Sequence, residues 1–128
     1  MGKNIYKQIE LENKHTLVIQ DLSRKISDDA FMVLMKAVIE IEIKKELFSD
    51  PGFSKQDITD MKLNDIVSVL GDKIVYEYAI ERNFIFAADK DAVFESLVET
   101  YMRNLGQYIK KPQFPGKFIL KAYKDKTK

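Results

Sequence analysis

The sequence predicts an α+β fold: a mainly antiparallel, twisted sheet of about five strands, with two helices packed on one face, in the order βββαβαβ. Three observations carry this expectation. Apolar and polar residues alternate with period two in segments near residues 5–20, 31–44 and 73–85. Apolar residues recur every three or four positions in two others, near 58–70 and 94–108. And 45% hydrophobic residues in a chain of 128 supply enough material for one core, so residues 1–128 read as a single globular domain.

The first alternating pair is Ile5, Lys7, Ile9 and Leu11 against Tyr6, Gln8, Glu10 and Glu12, followed by Thr16-Leu17-Val18-Ile19-Gln20. With Asn13-Lys14 between them, these make an antiparallel hairpin. Residues 31–44 fit two templates. As a helix, Ser27 would cap the segment, and Phe31, Leu34, Val38 and Ile41 would line one face. As a strand, every odd position from Phe31 to Ile43 is apolar, while Lys36, Glu40, Glu42 and Lys44 sit at even positions. Seven successive matches to period two, with β-branched residues throughout Val38–Ile43, favour a long strand entered through a turn at Ser27-Asp28-Asp29.

Asp50-Pro51-Gly52 breaks the chain. A helix is then expected from Ser54 as N-cap, with Phe53 and Ile58 as a hydrophobic staple. It would continue through Leu63, Ile66, Val67 and Leu70 to a positive-φ end at Gly71. Lys73–Ile85 alternates again, with Ile74, Tyr76, Tyr78, Ile80 and Phe84 on one face. Asp89 opens the clearest helix, marked by Phe94, Leu97, Tyr101, Leu105 and Tyr108 and stopped by Pro112 and Pro115-Gly116. A last short strand is expected at Lys117–Tyr123, with a lysine-rich end fraying from about residue 124.

Composition excludes several classes. The longest apolar run, Ala30–Met35, is far short of the roughly 20 residues that span a bilayer. The N-terminus has no secretory h-region, and Tyr6 stands where a myristoylation signal wants Ser or Thr. The chain has no cysteine, which removes disulfides and thiolate chemistry and fits a cytoplasmic location. Net charge is +1, so no global field points to nucleic acid or membrane. Locally, residues 110–128 carry seven lysines against Asp125 alone, leaving the remainder of the chain net acidic.

No metal, cofactor or catalytic motif emerges. The single histidine, His15, falls near a turn, and Asp57, Asp60 and Asp65 lack calcium-loop spacing. The five glycines are scattered, so no phosphate-cradling loop exists, and there is no Gly-x-Ser-x-Gly elbow. Glu40 with Glu42, and Glu77 with Glu81, fall among lysines on polar faces and read as solvated sheet surface. Asp21-Leu22-Ser23-Arg24-Lys25 resembles the start of the Asp-x-Ser-x-x-Gly element of cyclic-di-GMP-binding PilZ domains. Ile26 replaces its glycine and no Arg-x-x-x-Arg precedes it, so nothing is carried over.

Three function classes remain. The leading expectation is a binding or protein-interaction domain that self-associates through a sheet edge or apolar face, with no catalytic activity. The second is a small-ligand pocket or unusual enzyme. Arg82 shares a face with Tyr76 and Tyr78, Asp21 is in register to pair with it, and these four would line a cleft for an anionic or planar ligand. The third is nucleic-acid binding through Lys117, Lys121, Tyr123 and Lys124, where basic and aromatic residues interleave.

Overall fold

Thirteen residues, Ala30–Glu42, form the central strand β4. The computed structural model describes residues 5–48 and 60–127. Val33, Met35, Ala37, Ile39 and Ile41 are fully buried along one face of β4, while Glu40 and Glu42 are exposed on the other. A helix would scatter these odd positions around its axis, so only the extended chain can bury them together. The long strand and its entry turn at Ser27–Ala30 are as the periodicity predicts, with the Ile26 N–H donating to the Ala30 carbonyl at 3.0 Å.

Every pairing is antiparallel. On one side of β4 runs β2 (Thr16–Asp21), joined to β1 (Ile5–Glu10) by the expected hairpin. The short β3 (Arg24–Lys25) extends that same side against Phe31 and Met32. Between β2 and β3, the Asp21 carboxylate accepts from the Ser23 N–H (3.0 Å), and the Ser23 hydroxyl accepts from the Leu34 N–H (3.0 Å). The Asp-x-Ser element is thus a splice in an interrupted strand. On the other side of β4, β5 (Lys73–Phe86) pairs along almost its whole length, from Glu42 opposite Lys73 to Ala30 opposite Phe86.

Among the described residues, three α-helices cover the buried face of the sheet: α1 (Asp60–Leu70), α2 (Lys90–Ile109) and α3 (Phe114–Thr127). Ile66 of α1, Phe94, Leu97, Tyr101 and Ile109 of α2, and Phe114 and Ile119 of α3 join the inward residues of β4 in one core. Gly71, at φ 88°, ends α1 as expected, its N–H donating to the Val67 carbonyl at 2.8 Å. The helix start expected at Phe53–Ile58 lies outside the described residues. The Asn13 side-chain amide donates to the carbonyls of Ile109 (2.8 Å) and Lys111 (3.0 Å), tying the β1–β2 turn to the end of α2.

The fold class is therefore the one predicted, but the element order is not. Lys117–Tyr123 is not a last strand; it lies within α3, which continues to Thr127. Three apolar positions at alternate residues are too few to fix a period, whereas Phe114, Phe118, Ile119, Ala122 and Tyr123 follow helical spacing. Pro115 sits in the first turn of that helix, where its missing N–H costs nothing, so it starts an element as well as stopping one.

Candidate functional site

The residues proposed for a ligand cleft do not converge. Asp21 on β2 is opposite Met35, and Met35 is opposite Ile80 on β5, so β4 separates Asp21 from the β5 row by about two strand spacings, roughly 10 Å. Asp21 instead holds the Ser23 N–H. Arg82 is exposed, and its guanidinium donates to the neighbouring Glu81 carbonyl at 2.9 Å. Its stem leaves the core where the strand does, and its head is in water.

Tyr76 packs on the core beside the buried Tyr101, and Tyr78 stays exposed at its margin. Tyr101 is only 1% exposed, and its hydroxyl lies 3.0 Å from that of Tyr76. The Tyr76 ring meets those of Phe114 (5.3 Å) and Phe118 (5.5 Å) in T-shaped contacts, and the Tyr78 ring lies 5.2 Å from that of Tyr101, tilted by 43°. Burial, aided by the Tyr76 hydrogen bond, holds the Tyr101 hydroxyl far above its ordinary pKa; burial raises Tyr76 too. Both hydroxyls stay protonated at neutral pH and partner one another, so neither acts as base or nucleophile there.

The basic segment is rearranged by becoming helical. Lys117, Lys121 and Lys124 stand at i, i+4 and i+7, all exposed, and form one stripe along α3. Tyr123, expected to interleave with them, is half-buried with the Lys62 ammonium 5.0 Å from its ring centroid. The stripe is basic, but the stacking platform is occupied. His15 is half-buried in its turn, its Nδ1 3.1 Å from the Asn13 carbonyl oxygen. No group of three or more potential metal ligands occurs among the described residues. The outer sheet face carries ion pairs, Lys73–Glu40 at 2.8 Å, Lys44–Glu42 at 3.1 Å and Lys36–Glu77 at 3.3 Å, which accounts for three of the four glutamates singled out there.

What the structure does gather lies on β5. This strand is 14 residues long, and among the described residues its second edge pairs with no other strand. Exposure runs along most of it: Val75 and Tyr78 are 43% and 40% exposed. Near its end, Val33 faces Arg82 while Phe31 faces Ile85, so one residue of β4, Met32, lies opposite two of β5, Asn83 and Phe84. The extra residue makes a β-bulge, and Phe84 takes a left-handed φ of 59° within it. The bulge overturns the expectation that Phe84 lies on the core face: the residue is 77% exposed, and Phe86 is 61% exposed. Both line a shallow depression of about 330 Å³ whose remaining walls are Ile85, Asp89, Ala92, Val93 and Ser96.

Sequence reasoning missed this patch. The signal was a slip of phase: inward positions are even from Ile74 to Ile80, yet the next half-buried aliphatic is Ile85. Comparison with protein-family models, curated proteins and solved structures finds no match to this chain. No helix among the described residues is long and apolar enough to cross a membrane.

Proposed function

We propose that this chain is a protein-interaction domain that assembles with itself through β5, using the strand's free edge and the aromatic pair at its end. One observation carries the reading: a 14-residue strand with an edge unpaired among the described residues, ending in Phe84 and Phe86 held out to solvent. Such an edge offers a row of backbone donors and acceptors, and adding a strand satisfies them with little rearrangement. Two phenyl rings supply the apolar anchor that backbone pairing lacks.

The remaining chemistry points the same way. No described buried side-chain polar atom is left without a partner. The Tyr76 and Tyr101 hydroxyls are spent on each other. Lys73, Glu77, Glu81 and Arg82 punctuate β5 and the bulge interrupts its regular pairing, features that limit an exposed edge to finite assembly rather than open-ended aggregation. The absence of cysteine suits a cytoplasmic setting.

The aromatic pair sets the scale. A buried aromatic contributes about 150–250 Å². At 77% and 61% exposure, the two rings of one copy offer roughly 270 Å². Two copies give about 550 Å², below the roughly 1,200 Å² of a stable interface, so the strand edge must add to it. Native mass spectra over a concentration series test this. A reversible rise from 14.9 kDa to a small multiple is expected. A monomer persisting above about 100 μM contradicts it.

A further inference from the structure

We infer that the outer face of α3 is a docking surface for the phosphate backbone of double-stranded nucleic acid, held by Lys117, Lys121 and Lys124. The contact lies on a different element from β5 and stands or falls independently of self-association.

The lysines sit where the helix itself gains little from them. Residues 110–128 hold seven lysines against Asp125 alone. Helical spacing brings Lys117, Lys121 and Lys124 onto one line roughly 10 Å long, opposite the buried Ile119. All three are exposed. Among the described residues none of them forms an ion pair, not even Lys121 with Asp125 one turn on. Lys117 falls in the first turn, which holds no acid, although the helix dipole favours anions at that end. Like charges at i and i+4, as in Lys117 and Lys121, also oppose the helix. An external polyanion relieves both penalties.

The rest of α3 selects among polyanions. A membrane-surface helix needs a free apolar face to bury among lipids. Here that face is spent, because Phe114 and Ile119 are buried and Phe118 and Tyr123 pack against the core. Single strands need a ring to stack on, and Tyr123 is half-buried with the Lys62 ammonium 5.0 Å from its centroid. Protein interfaces are depleted in lysine and centre on apolar or aromatic anchors, which the stripe lacks. A duplex backbone asks only for a line of positive charge. Contacts to phosphate position a duplex without reading its bases, so the binding is sequence-independent.

Fluorescence anisotropy of a short labelled DNA duplex, between roughly 50 and 200 mM sodium chloride, tests this. Three phosphate contacts predict a slope of about −2.7 for log K against log salt, about a fortyfold loss over that range. Lys117→Gln, Lys121→Gln and Lys124→Gln should each take about 0.9 off the slope. Lys7→Gln, exposed on β1, should leave it unchanged, and circular dichroism melts confirm that every variant folds. No binding at about 50 mM salt and 100 μM protein overturns the inference, as does binding whose slope ignores the α3 variants. Tighter α3-dependent binding to one strand of the same DNA, to phosphatidylserine-containing vesicles or to poly-glutamate gives the stripe to that partner and overturns the duplex.

Discussion

Replacing Phe84 separates backbone strain from side-chain packing. Its φ of 59° places an L-residue in the left-handed region, at a cost of about 1–2 kcal/mol that glycine does not incur. Alanine keeps that cost and removes the ring. Because Phe84 is 77% exposed, only about 50 Å² of it is covered within the monomer, worth roughly 1 kcal/mol. Phe84→Ala should therefore lose about 1 kcal/mol. Phe84→Gly suffers the same loss of packing but regains the strain, less about 0.5–1 kcal/mol for the greater freedom of glycine in the unfolded chain. Glycine should thus be more stable than alanine by roughly 0.5–1 kcal/mol, about 2–5 °C in Tm, the reverse of their usual order inside a strand. Thermal and urea melts at concentrations low enough to keep the protein monomeric measure the difference. Alanine equal to or above glycine would show that Phe84 is unstrained and remove the premise of a displayed aromatic.

Tyr101→Phe should lower stability at pH 7 by about 1 kcal/mol, since Tyr76 loses its hydroxyl partner, as read from urea titration. The same variant tests a pH dependence. The folded state holds the Tyr101 proton well above the ordinary value of 10.0, so this stabilisation is complete below that pH and declines above it, as the unfolded chain ionises first. Urea titrations from pH 8 to 11 should show a shallower alkaline loss in Tyr101→Phe than in the wild type; identical slopes would refute it. Asn13→Ala should cost about 1–2 kcal/mol in chemical denaturation, because two carbonyls at the end of α2 lose their donor. Gly71→Ala should cost about 1 kcal/mol through backbone strain alone, as no atom lies within 4 Å of the added methyl; a larger loss would indicate a clash.

The architecture was legible where patterns ran long. Seven alternating positions in 31–43 outweighed a competing helical reading, and five helically spaced residues identified α2. The β1–β2 hairpin and the end of α1 at Gly71 followed from local chemistry. Failures came where the window was short or one residue carried two meanings. Lys117–Tyr123 offers only three alternating apolar positions, and Pro115 fits a helix start as well as a stop.

The site was less legible, because register is a property of two strands together. Nothing near Arg82 shows that β4 lies between it and Asp21. The bulge that turns Phe84 outward leaves only a one-residue slip, and Asn83 beside it is the more ordinary left-handed residue. Asn13 was read as part of a turn, whereas its contacts with Ile109 and Lys111 span nearly a hundred positions.

Amide hydrogen exchange across a concentration series tests the account most directly, because it reports on β5 residue by residue. In dilute protein, the outward-pointing amides of β5 should exchange rapidly, lacking a strand partner. As concentration rises, protection should appear along β5, greatest near Phe84–Phe86 and in the first turns of α2, while exchange in α3 stays constant. Exchange along β5 that is independent of concentration, or protection that grows on another element instead, would contradict assembly through this strand.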